Sequence, residues 1–342
     1  MYGEISVEET ILRTATTHWL RPFAKRAGVK CRGKSARLQR AMCDFGSEHS
    51  FAASNRRLLE HYGFTLNASA LRQATLDHAQ RAAQMLEEEY RQSYRSLPAK
   101  GCAVLLAEAD GSMLCTVPAG LPRTGARPRQ WQEIRLLASQ PHNSLQTTYA
   151  ATFGSVQEAG RRWGHTAQAA GRALASRIHV VADGAEWIAL QTREVFGKDA
   201  TLLTDFYHVC EYLAAAALVC RPAHPEQWRH TQHQRLRRGA SGLVLAELAA
   251  HREPDTVAEE NAPVRAAHRY LGNRSATLDY PAALAAGLPI GSGLIESGHK
   301  HVLQARLKLP GSSWLPHNAQ SIAQLRVLRA NDRWLDLWPL AA

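Results

Sequence analysis

The sequence predicts an α/β protein: a core of strands and helices, interrupted by a helical insertion and preceded by an all-helical region. Three observations carry this. Residues 1–100 hold three segments of helical pattern. From residue 102, short apolar runs give way to an alternation of strand-like and helical runs, the pattern of an α/β sheet. Residues 222–285 then turn helical and charge-rich before the apolar pattern resumes.

The elements follow in order. SARLQRAMCDFG, SFAASNRRLLEHYG and a long segment from Asn67 to Ser93 make the N-terminal helices. Gly63 follows LLEHY where a helix C-terminal glycine belongs, and Asn67 or Ser69 suits the next N-cap. Two helices joined by a short glycine-containing turn, the second bearing Arg72 and Gln73 near its start, fit a helix-turn-helix reader of DNA; a plain helical bundle is the alternative. SLPAKG at 96–101 reads as a linker. CAVLLAEADG, SMLCTV and WQEIRLLAS read as three strands, with a Pro/Gly/Arg loop between the last two. A helix over 155–175, the strand RIHVVADG, a helix ended by Gly197, the strand ATLLTD and the helix FYHVCEYLAAAALVC complete the alternation. After the insertion comes a helix carrying Glu296, then a last helix over about 317–330. The resulting domains are 1–97, 102–220 with 286–331 as the core, 221–285 as the insertion, and a C-terminal tail over 332–342.

Of 342 residues, 45% are hydrophobic and 21% charged, which excludes wholesale disorder. The net charge of +11 points to a polyanion partner, nucleic acid ahead of an anionic membrane. The charge is uneven. Ile11 to Cys43 contains no acid but nine Lys and Arg residues, among them Arg26, Lys30, Arg32 and Arg37, as expected of a phosphate-facing or solvated arm. Six cysteines form no CxxC pair and imply neither a zinc site nor a disulfide framework. HTQH at 230–233 lacks a second ligand pair. The longest apolar run, YLAAAALVC, is too short to span a bilayer, and no signal peptide opens the chain. The expectation is a soluble, cytoplasmic, nucleoid-associated protein. The absence of a long leader also fits a truncated copy.

Three acids occupy special places. Asp110 and Asp183 end the first and fourth strand-like runs, and Glu296 follows the Gly-Ser-Gly turn of IGSGLIESGHKHVL. Leu303 lies seven residues after Glu296, which in an α-helix puts the carboxylate on a partly apolar stripe. Each has an ordinary alternative: Asp-Gly is a common turn dipeptide, and Glu296 has Lys300 as an i+4 partner. Together they suggest a cation site, because clustered carboxylates repel unless a cation neutralises them. An all-oxygen ligand set selects Mg²⁺ or Mn²⁺, and two such ions activate a hydroxyl and stabilise a leaving oxygen at a phosphodiester. The order Asp, Asp, Glu on strand, strand and late helix matches the ribonuclease H-like fold.

The runs VVADGAEWI, TDFYHVCEYL, GLPIGSGLIESGHKHVLQARLK and LRVLRANDRWLDLW, with DFGSEHSFAASNRRLLEHYG and LAEADGSMLCTV upstream, resemble DDE transposases of the Kra-type bacterial insertion sequences, relatives of the Mutator-like group. The likeness covers nearly the whole chain. It implies a ribonuclease H-like mixed sheet, metal-dependent cleavage at element ends and strand transfer into target DNA. Asp110, Asp183 and Glu296 resemble the catalytic, metal-holding triad, with two ions. Asp205 and His208 resemble the accessory D-x-x-H motif. A triad of Asp183, Asp205 and Glu296 is the competing assignment, and Glu108, on the same strand face as Asp110, stands as an assistant or substitute. Lys300, Arg306 and Lys308 are expected to join Arg26, Lys30, Arg32, Arg37 and Arg72 against DNA phosphates. Trp314, Trp334 and Trp338 are candidates for stacking on bases, with hydrophobic anchoring as the alternative. Partners are double-stranded DNA, as terminal repeats and target, and a second copy of the chain, since two ends must be joined. The rivals are a nuclease of the same fold without strand transfer and a decayed or domesticated DNA-binding protein.

Overall fold

The computed structural model describes residues 5–13, 19–30, 33–120 and 128–338. After a short antiparallel pair, Leu12–Arg13 with Trp19–Leu20, and a five-residue helix, Pro22–Arg26, come helices α1 (Ala36–Glu48), α2 (Phe51–Tyr62) and α3 (Ala68–Tyr90). They are followed by β1 (Val104–Thr116), β2 (Gln130–Pro141), β3 (Thr148–Thr152), α4 (Val156–Ala169), β4 (Arg177–Ala182), α5 (Glu186–Phe196), β5 (Ala200–Thr204) and α6 (Phe206–Cys220). Then come α7 (Pro225–Arg237), α8 (Ser241–Ala250), α9 (Pro263–Gly272), α10 (Tyr280–Ala285), α11 (Gly293–Gly298) and α12 (Pro316–Ala330). The chain divides into two compact units: one of 1–92, 113–133 and 299–342, the other of 93–112 and 134–298.

In the first unit, the N-terminal helices are capped as their sequences require. Ser35 and Ser50 accept from Leu38 N and Ala53 N, satisfying otherwise orphaned donors at the starts of α1 and α2. Gly63 ends α2 in the left-handed region at φ +74°, and Asn67 caps α3 through Ser69 N. Met42, Leu58, Leu71 and Ala74 form the buried core of the three helices. Helix α3 also packs on α12, whose residues 321–328 are all buried. Residues 332–338, expected as tail, include the short helix Trp334–Leu337 and are tied to α3: Arg333 pairs with Glu89, and Arg81 donates to the carbonyl of Leu337.

The second unit is built on a five-stranded mixed sheet of order β3-β2-β1-β4-β5. β2 and β3 are antiparallel; β1, β4 and β5 are parallel. Helices α4 and α5 pack together, with Trp163 edge-on to Phe196. Helices α6–α10 share one apolar cluster that includes Val209, Leu213, Trp228, Val264 and Leu271.

The strand assignment differs from the sequence expectation. CAVLLAEADG and SMLCTV are one strand: β1 runs without a turn through Asp110-Gly111. Asp110 therefore lies inside a strand and not at its end. Its side chain accepts from the next backbone N–H, of Gly111, at 2.7 Å, and the backbone stays extended. The third strand of the sheet is instead TYAAT, which the sequence pattern did not mark. Among the described residues no helix is long and apolar enough to cross a membrane.

Two predictions follow from the packing of the first unit. A Cβ at Gly46 in α1 would fall on the Thr75 hydroxyl. Gly46→Ala should therefore lower stability by about 1–3 kcal/mol in urea denaturation, although alanine in an open helix gains up to ~1 kcal/mol over glycine. His78 is buried against Gln39 and the Trp338 ring, and burial pushes its imidazole down to about 4. The unfolded chain takes up this proton near pH 6.5 and the folded chain only near 4. Stability should fall as pH drops through that window, and His78→Phe should remove about 2–3 kcal/mol of the dependence.

Candidate active site

The parallel register brings the acids together within the second unit. β1 pairs with β4 from Val104↔Arg177 to Glu108↔Val181, and β4 pairs with β5 as far as Ala182↔Thr204. Extended past the last pairs, these offsets set Asp110, Asp183 and Asp205 level with one another. Residues in register on parallel strands point to one face. Three carboxylates thus emerge together where the parallel pairing stops, the edge at which α/β sites form.

Each is held differently. Asp183 follows β4, and its Oδ1 accepts from Ala185 N at 2.9 Å. The turn it begins is clamped from α9 and the residues just after it: the Tyr270 hydroxyl donates to the Asp183 carbonyl, and Arg274, stacked over the Tyr270 ring, donates to the Gly184 carbonyl at 2.6 Å. Gly184 has φ +91°, and a Cβ there would overlap the Arg274 guanidinium. Asp205 is buried and caps α6, its Oδ1 accepting from Tyr207 N at 2.6 Å and His208 N at 3.2 Å. Its Oδ2 accepts from Ser292 N at 2.9 Å and from the Ser292 hydroxyl. His208 sits one turn into α6, with Nδ1 3.1 Å from Glu211 Oε2 and its ring edge-on to Tyr212 and Tyr270.

Glu296 stands on α11 and is exposed rather than placed on an apolar stripe. The reason is local. The helical turns of α11 give way to a π-helical segment at His299–Gln304. Its wider i→i+5 turns break the seven-residue phase between Glu296 and Leu303, so Leu303 is buried while Glu296 is not. Glu108, one level below Asp110 on the same strand face, accepts from Ile295 N at 2.8 Å. Burial, with the nearby Asp205 and Glu296 charges adding, pushes its carboxyl up to about 8, so it is mainly neutral at pH 7.

Asp110, Asp183, Asp205, His208, Glu211 and Glu296 line one cleft of about 240 Å³. Its donor set is rich in oxygen, which suits a hard divalent cation. Among the described residues no three His, Cys, Asp or Glu side chains converge closely enough to hold an ion; the acids face a common space without closing on it.

The basic residues divide. Arg26, Lys30, Arg37, Arg72, Lys300 and Lys308 are exposed, and Arg32 lies outside the described residues. Arg306 is not presented to solvent. It is 3% exposed, donates from Nε to the Gly46 carbonyl at 3.0 Å, and lies 4.8 Å from the centres of both the Phe51 and Trp314 rings. Burial pushes its guanidinium down to about 10. Trp314 is buried with its indole N–H on the Leu307 carbonyl, and Trp338 is buried as well, so both serve as anchors. Trp334 is half-buried beside Trp338. The cysteines described, all but Cys31, form no disulfide, and burial pushes the Cys210 thiol up to about 12.

Ser292, Tyr207, Tyr270 and Arg274 were not singled out from the sequence. Ser292 lies in the Gly-Ser-Gly stretch, where a serine reads as a turn residue. Tyr270 and Arg274 lie in the insertion, far from any acid in sequence, and no local signal links them to Asp183.

No protein-family model matches this chain, and no curated protein matches it. Among solved structures, the chain is similar to the Drosophila P element transposase strand transfer complex, at a TM-score of 0.22 and 11% identity, over 82% of this chain and 84% of that one. A similarity of that size fixes neither fold nor chemistry.

The burial of Arg306 makes it a packing residue, unlike the exposed Lys300 and Lys308. Arg306→Ala should lower the stability of the chain by about 1–3 kcal/mol, because it leaves a buried carbonyl and two ring faces without their partner. Lys300→Ala and Lys308→Ala should change it by less than ~0.5 kcal/mol. Thermal melts of the three variants check this.

Proposed function

We propose that this chain is a DDE-type DNA transposase with a ribonuclease H-like core, of the Kra-type insertion-sequence group that its motifs resemble. The observation that carries the reading is the single cleft lined by Asp110, Asp183 and Glu296, which come from one strand, the end of a second and a late helix. The first acid lies on the first strand of the sheet, the second follows the fourth strand, and the third stands on a late helix, which supports the same conclusion.

Asp110, Asp183 and Glu296 are the residues that would hold two Mg²⁺ or Mn²⁺ ions. Such ions, when bound, activate the attacking hydroxyl and stabilise the leaving oxygen of a phosphodiester. The competing triad with Asp205 is disfavoured, because both Asp205 oxygens already accept hydrogen bonds from protein N–H and O–H groups. Glu108, whose carboxyl burial pushes up, holds the start of the Glu296 helix through the backbone N–H of Ile295. His208, partly exposed at the cleft wall, is placed to contact a phosphate. The exposed Arg26, Lys30, Arg37, Arg72, Lys300 and Lys308 are assigned to DNA phosphates, and α2 and α3 to recognition of the terminal repeats. Joining two ends at one target calls for at least a dimer on DNA.

The test is cleavage and strand transfer on a plasmid carrying the gene's own flanking DNA, with Mg²⁺, with EDTA, and with Asp183→Ala. The expected result is metal-dependent nicking at fixed ends and joined products. Asp183→Ala should reduce both to background, while end binding by gel shift stays within about twofold, since an acid facing the reacting phosphate contributes to chemistry more than to affinity. Cleavage that persists in Asp183→Ala overturns the site. Binding without cleavage under any metal would favour a decayed copy, and nicking without joined products a simple nuclease.

A further inference from the structure

The structure assigns a mechanical task to Asp205: it is the positioning residue for Glu296, acting through Ser292. The segment Ile290–Ser292 is fastened to the junction of β5 and α6 at several points. The backbone N–H of Phe206 donates to the Ile290 carbonyl at 2.8 Å. Gly291 lies so close to the Tyr207 ring that a Cβ would fall 2.5 Å from it. Asp205 then takes both the backbone N–H and the hydroxyl of Ser292 on Oδ2, while its Oδ1 caps α6. One buried carboxylate therefore joins the beginning of α6 to the beginning of α11. The amide of Glu296 in turn donates to the Ser292 carbonyl at 3.2 Å, so the acid is one helical turn from the clamp.

The hydroxyl proton of Ser292 is also accounted for. Ser292 Oγ lies 3.5 Å from Glu296 Oε1 but much closer to Asp205 Oδ2. A serine has one proton to give, and the short charge-assisted contact to Asp205 takes it. Glu296 is thereby oriented by its helix and not tied down by its neighbour, which leaves its carboxylate for the cleft. Without Asp205, the same hydroxyl would turn to Glu296 and compete with a cation for it.

The catalytic consequence rests on the transposase reading, whereas the clamp itself does not. The experiment uses the full chain and the variants Asp205→Asn, Ser292→Ala and Ser292→Thr. Asparagine keeps the α6 cap through Oδ1 and opposes the Ser292 N–H with an amide NH₂; threonine keeps the hydroxyl. The first readout is backbone hydrogen exchange at Ser292 and Glu296, without DNA or metal. Exchange there should quicken by roughly 10-fold or more in Asp205→Asn and by a smaller factor in Ser292→Ala, which keeps the backbone N–H bond to Asp205, and stay near wild type in Ser292→Thr. The second is Mn²⁺ binding followed by the loss of its free-ion electron paramagnetic resonance signal. Half-saturation should rise roughly 10- to 100-fold in the same two variants, as for other groups that orient a metal ligand. The third is end cleavage, in which the turnover rate falls and the DNA concentration for half-maximal rate does not.

Unchanged exchange in Asp205→Asn and Ser292→Ala overturns the clamp whatever the metal result. Quickened exchange with unchanged Mn²⁺ affinity overturns the link from the clamp to Glu296. A wild-type chain that binds no Mn²⁺ overturns the proposed function and leaves the exchange readout to decide the clamp. If Asp205→Asn does not fold, the Ser292→Ala and Ser292→Thr pair decides it by the same readouts.

Discussion

Like charges resist being gathered, and the second unit gathers several of them. The parallel register of β1, β4 and β5 forces three aspartates to one level of one sheet face, and α11 adds a glutamate to the same cleft. The protein manages this repulsion by giving each carboxylate its own surroundings. Glu108 is pushed toward its neutral form by burial. Asp205 spends its charge on four protein donors. Glu296 keeps access to water. The charge still turned toward the cleft is what a divalent cation would neutralise, so the arrangement of strands and the proposed chemistry have a common electrostatic origin.

Much of this was legible from sequence where the signal is local. Gly63 and Asn67 mark the α2–α3 turn because a left-handed residue and a side-chain acceptor are what helix ends require. Asp205, between a strand-like run and a helical one, is the cap of α6. Asp183 reads correctly as the residue after a buried strand. Two of the failures depend on partners distant in sequence, and a third on a local change of helix type. Asp110-Gly111 has the composition of a turn, yet the sheet keeps it extended, because β1 continues beyond its pairing with β4. Arg306 and Lys308 look alike on paper, and only the rings of Phe51 and Trp314 bury one of them. The phase between Glu296 and Leu303 fails because a π-helical segment, invisible to a 3.6-residue count, begins three residues after the acid.

The first unit shows that positive charge in a basic protein does not all face a polyanion. Arg306 and Arg326 are structural: Arg326 reaches the carbonyls of Ser47 and His301 and the carboxylate of Glu48 from within a buried helix. Each guanidinium offers five donors in a plane, enough to satisfy several carbonyls at once where helix ends meet. The net charge of the chain therefore overstates the positive charge that its surface presents.

The hold of α9 on the Asp183 turn reaches beyond the site. Tyr270 and Arg274 grip the two carbonyls of that turn, and Gly184 leaves the room the guanidinium fills. The insertion is thus no detachable appendage. Anyone trimming this chain to its sheet, or grafting that sheet into another scaffold, would have to carry α9 and the residues just after it along. Lineages free to vary the rest of the insertion would still be obliged to conserve one tyrosine, one arginine and one glycine together.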